Sequence, residues 1–101
     1  MDVTTDHALM KIKRLALQRR LRFTFKAECE MLRSFLSEDD IIEALVNAPA
    51  IKKVLISTTG KRDKLYIIES PNFDGVWVYT KGKFMKNGRE YYVLISSKIS
   101  E

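Results

Sequence analysis

The hydrophobic period of the chain changes once, near its middle. Up to about residue 47, apolar positions recur every three or four residues, as on one face of a helix; beyond residue 51 they alternate with polar ones, as along a strand. Asp6 can cap a helix running to about Arg20, with Leu9, Ile12, Leu15 and Ala16 on its apolar face. LRFTF reads as a short extended link. Thr24 is the cap of a second helix, in which Ala27, Met31, Leu32 and Phe35 would pack. Ser37 with Asp40 three positions later forms a capping-box pattern, and three consecutive acids suit the positive end of that helix dipole. The third helix carries Ile41, Ile42, Leu45 and Val46 and ends before Pro49.

IKKVLIST, KLYIIES, GVWVYTKGKF and EYYVLISSK are rich in β-branched and aromatic residues, with TTGKRD and SPNFDG as turns between them. The pattern predicts a single α+β domain over residues 1–101. Three N-terminal helices would pack on one face of a twisted antiparallel sheet of about four strands.

Asn87-Gly88 between two alternating runs is a strong hairpin signal. A two-residue turn there would pair Lys86 with Arg89, Lys83 with Tyr92, Tyr79 with Ser96 and Trp77 with Lys98. Opposed residues share a face. Val78, Thr80, Gly82, Phe84, Tyr91, Val93, Ile95 and Ser97 would then pack on the helices. Trp77, Tyr79, Lys81, Lys83, Tyr92, Ser96 and Lys98 would be left in solvent. That open face interleaves cations, which answer phosphates, with aromatic rings, which stack on unpaired bases. Lysine and tyrosine are also ordinary residues for a solvated sheet face, where lysine guards edges.

Charge sharpens this picture. The formal net charge is +5, and residues 51–101 hold ten Lys/Arg against five Asp/Glu. Acidic partners are favoured, nucleic acid among them. A single cysteine, Cys29, excludes an internal disulfide, and one histidine, His7, leaves no metal-ligand cluster to propose. No apolar run approaches the ~20 residues of a membrane span, and the N-terminus lacks the pattern of a secretory signal. The expectation is a cytoplasmic protein with no metal or other cofactor.

RLALQRRLRFTFKA, the acidic third helix, VYTKGKF and YYVLISSK together resemble the MqsR-type messenger-RNA interferase toxins, small bacterial endoribonucleases of RelE-like fold. The likeness spans roughly residues 10–99 in element order. It implies cleavage of mRNA and neutralisation by a cognate antitoxin. It also implies catalytic roles for Tyr79 on the penultimate strand, Lys98 at the end of the last strand, and Lys53 at the start of the sheet, with Lys52 as the alternative for the third. Trp77 and Tyr92 would stack on bases, while Lys81, Lys83 and Arg62 would hold phosphate. One position departs from the family: its strand glutamine falls on Leu65 or Tyr66, and the only glutamine here is Gln18.

The implied reaction is attack of a ribose 2′-hydroxyl on the adjacent phosphorus, releasing a 5′-hydroxyl. Lysine and tyrosine ordinarily ionise near pH 10, so their proton transfer at neutral pH would be slower than that of a histidine pair.

Overall fold

The computed structural model describes residues 3–58 and 62–101. In chain order these form α1 (Val3–Leu17), β1 (Leu21–Phe23), α2 (Phe25–Ser34), α3 (Glu38–Asn47), β2 (Lys53–Ile56), β3 (Lys64–Pro71), β4 (Trp77–Asn87) and β5 (Arg89–Ile99). The fold is α+β, as the change of period predicts. The middle of the expected TTGKRD turn lies outside the described residues.

The sheet order is β1-β5-β4-β3-β2; β1 runs parallel to β5 and the other pairs are antiparallel. The sheet is therefore mixed and five-stranded, rather than antiparallel and four-stranded. The three helices do not all precede it, because the expected link after α1 is strand β1. Its pairing answers the outer edge of β5: Tyr92 N–H donates to the Arg20 carbonyl, and Thr24 N–H donates to that of Leu94. A three-residue strand carries too little alternation to stand out in sequence.

Local chemistry sets the helix ends. Thr24 Oγ1 accepts from Ala27 N–H at the start of α2 and donates to the Ile95 carbonyl, which ties the helix to β5. Ser37 and Asp40 form the expected capping box. α1 and α2 both end on a left-handed residue that is not glycine, Arg19 (φ 55°) and Phe35 (φ 56°). Leu32 and Phe35, expected to pack, are 77% and 94% exposed. α2 lies along the edge of β5, so only a narrow stripe holding Ala27 and Met31 is covered.

α1 and α3 cover one face of the sheet. Ile12, Leu15 and Ala16 of α1, with Ile41 and Leu45 of α3, meet Ile68, Val78, Tyr92 and Leu94. α3 is also stitched to the β3–β4 connection. Ser70 donates to the Ala44 carbonyl, Asn72 to Asp40, and Phe73 N–H to Glu43. Much of the acidity of α3 therefore serves the fold.

The β4–β5 register departs from expectation twice. Asn87 pairs with Arg89 and Phe84 with Tyr92, a one-residue slip from a two-residue turn, since only Gly88 (φ 76°) takes positive φ. The slip turns Tyr92 and Leu94 into the core and moves Tyr91 and Val93 to the opposite face. Gly82 explains the choice. A Cβ there would lie 2.5 Å from the Tyr92 ring, so the ring occupies the space glycine leaves. Phe84 packs edge-on between Tyr66 and Tyr92, each with a centroid separation of 5.4 Å. A bulge then leaves Ile95 unpaired, and beyond it Lys81 faces Ser96 and Tyr79 faces Lys98. The bulge restores the phase that the turn lost.

Two substitutions check this packing. Gly82→Ala should lower unfolding stability by about 1–3 kcal/mol, through overpacking against Tyr92. The buried Tyr92 hydroxyl has no hydrogen-bond partner. Tyr92→Phe should therefore hold or raise the urea midpoint, because the unpaired group costs about 1 kcal/mol or more; a lowered midpoint would refute the unpaired assignment.

Candidate nucleic-acid interface

The sheet face turned away from α1 and α3 gathers the candidate residues in two cross-strand rows. One row reads Glu69, Tyr79, Lys98 across β3, β4 and β5. The next reads Lys53, Ile67, Lys81, Ser96 across β2 to β5. Side chains in a row stand roughly 5 Å apart, and the rows are about 7 Å apart along the strands.

Tyr79 and Lys98 meet directly. The Lys98 ammonium lies 5.5 Å from the centre of the Tyr79 ring, within cation–π range. A cleft of about 300 Å³ opens beside them, lined by Glu69, Tyr79, Lys98 and Ser100. Lys81 and Lys83 follow Tyr79 on the same face of β4 by alternation, and Trp77 precedes it, 53% exposed. Lys83 is held by Asp63 at 3.1 Å. Arg62 is exposed next to that aspartate, in the segment leading into β3, whereas its neighbour Lys61 lies outside the described residues.

Other expected members are placed differently. Tyr92 is fully buried and cannot stack on a base, for the Gly82 reason given above. Ser96 is buried too, under Glu30 of α2. Lys53 sits three strands and one row from Lys98, about 16 Å at the backbone. Lys52, the alternative, reaches the Glu69–Tyr79–Lys98 row instead: its ammonium lies 2.8 Å from Glu69.

Glu69 is the member that sequence reasoning missed. The alternation of KLYIIES sends it to the open face with Ile67, a signal present in the sequence and unused. Hydrogen bonds from Lys52 and Ser100 hold its pKa below the usual carboxylate value, so it is ionised at neutral pH and is a weak proton acceptor. It positions Lys52 and closes one side of the Tyr79 cleft.

Glu30 supports the row from the other side. Its Oε1 accepts from Ser96 Oγ at 2.8 Å and from Ser97 N–H at 3.1 Å, satisfying the outer edge of β5 beyond the bulge. Burial opposes its ionisation, but these two bonds and the charges of Lys26 and Lys98 outweigh it and lower the Glu30 pKa.

Comparisons with family models, with curated proteins and with solved structures find no match. The likeness to the interferase toxins thus rests on the quoted sequence segments, and the arrangement of the open face is independent of it.

The Glu30 contacts predict a pH-dependent stability. Glu30→Ala should cost about 2 kcal/mol at pH 7, the worth of charged hydrogen bonds. A lowered folded-state pKa stabilises above the ordinary glutamate value and fades as pH falls below it. The gap between parent and variant should accordingly shrink when thermal unfolding is repeated at pH 3; a gap that widens there would contradict the assignment.

Proposed function

We propose that this protein is an endoribonuclease that cleaves single-stranded mRNA and is neutralised by a cognate antitoxin, as the sequence likeness implies. One observation carries the reading: Tyr79 stands directly opposite Lys98 on an open sheet face, with Lys81 in the next row of the same strand and Lys53 farther across the face. No ion pair among the described residues neutralises Lys53, Lys81 or Lys98.

In the proposed reaction the ribose 2′-oxygen attacks the adjacent phosphorus and loses its proton. The bond from phosphorus to the 5′-oxygen breaks, that oxygen takes up a proton, and a cyclic phosphate and a 5′-hydroxyl result. Proximity to Tyr79 favours Lys98 over Lys53 for proton transfer. The Tyr79 hydroxyl, flanked by Lys98 and Glu69, would orient or protonate the leaving oxygen. Lys53 and Lys81 would stabilise charge on the phosphate, and Trp77 would stack a flanking base. Lys83, tied to Asp63, contributes less. An acidic segment of the antitoxin would answer the same cations.

Incubation of the purified protein with a long RNA in EDTA tests this directly. Discrete cleavage is expected, with Tyr79→Phe and Lys98→Ala each reducing the rate by about 10²-fold or more at unchanged fold. Equal rates in parent and both variants would remove the site assignment. A mobility shift without any cleavage would replace the enzyme with a non-catalytic RNA-binding module, a reading that the absence of the family's glutamine, whose position falls on Leu65 or Tyr66, favours.

A further inference from the structure

A second basic site lies at the far end of the same sheet. α1 ends at Leu17, and the chain turns through Arg19 into β1; the hairpin tip at Gly88 comes back beside it. Between them is a cleft of about 360 Å³ lined by Arg19, Arg20, Arg22, Asn87, Arg89 and Tyr91. The arginines are not equivalent. Arg19 pairs with Asp39 at 2.7 Å and lies 3.7 Å from Glu38, so its charge is answered. Arg20 donates through Nε to the Glu90 carbonyl. Arg22 and Arg89 are exposed and have no ion-pair partner among the described residues.

Two features indicate more than a solvated basic corner. The Arg22 guanidinium lies over the Tyr91 ring, 5.0 Å from its centre, so the group is held in place rather than free in solvent. The cleft also opens on the same side of the sheet as the candidate cleavage face. Arg22 pairs with Val93, and Tyr91 and Val93 lie on the same side of β5 as Lys98, because the bulge at Ile95 corrects the phase between them. Seven residue steps along β5 lead from Tyr91 to Lys98, about 23 Å.

We propose that this arginine cleft is a second binding site for the RNA whose cleavage is proposed at Tyr79 and Lys98. The inference rests on that functional reading. Arg22 and Arg89 engage backbone phosphates several nucleotides away from the scissile bond, and the exposed side of the Arg22 plane stacks one base. The substrate is therefore a single strand long enough to span both sites, and short oligonucleotides lose the contribution of the cleft.

The test uses fluorescein-labelled RNA of twelve nucleotides, 2′-O-methylated throughout so that it cannot be cleaved, with binding read by anisotropy across a salt series. Arg22→Ala/Arg89→Ala should weaken binding about tenfold and lower the slope of log affinity against log salt by about one to two. Arg14→Ala, on α1 and outside the cleft, should change affinity less than twofold. Arg89→Glu is a second probe at an exposed position without partners, so its folding is secure, and it should weaken binding at least as much as Arg89→Ala. An unchanged affinity and slope in folded variants would overturn the cleft while leaving the cleavage centre intact. Failure of the parent protein to bind this RNA at all would overturn both.

Discussion

The packing of the Tyr92 ring into the space above Gly82 sets everything on the other side of the sheet. Side chains alternate along a strand, so the residue of β5 that enters the core decides which neighbours face out. Tyr92 fills the gap, sits edge-on to Phe84, and is fully buried. Tyr91 and Val93 are thereby turned to the open face, and Arg22 of β1 lies over the first of them. The cost is a buried hydroxyl without a partner, accepted in return for a dense aromatic core.

The bulge at Ile95 is the second constraint. Without it, β5 would keep one phase to its end, and Lys98 would lie on the helix-covered side of the sheet. With it, the first half of β5 serves the arginine cleft and the second half serves Tyr79 and Lys98. Beyond the bulge the strand has no strand partner on its outer edge. α2 takes that place with side chains: Glu30 accepts the Ser97 N–H, and Ser34 accepts that of Ile99. A helix used this way buries only a narrow stripe, which is why Leu32 and Phe35 stay in solvent.

Charge follows the same division of labour. The acids of α3 cap its own start and hold the β3–β4 connection, Asp39 answers Arg19, and Glu69 answers Lys52. Among the described cations without an ion pair, Arg22, Arg89, Lys53, Lys81 and Lys98 lie at or along one face of the sheet, while Lys13 and Arg14 on α1 and Arg33 on α2 are also unpaired. A surplus arranged in a line suits a linear polyanion better than a compact acidic ligand.

The sequence by itself determined the α+β class, the presence and order of the three helices and the long strands, the caps at Thr24 and Ser37, and the membership of Trp77, Tyr79, Lys81 and Lys83 on one face of β4. These depend on period and on contacts within a few residues, and both are written locally. Helix α1, expected to be capped by Asp6 and to run to about Arg20, instead spans Val3–Leu17. Tertiary structure alone decided the rest. The pairing of β1, the burial of Tyr92, the exposure of Phe35, and the meeting of Lys52 with Glu69 all follow from how distant segments fill space together. The hairpin is instructive here: Tyr79 and Lys98 do share the open face, but they do so through a turn slip and a compensating bulge. No local rule carries that information, because the glycine and the ring that select the register lie on different strands.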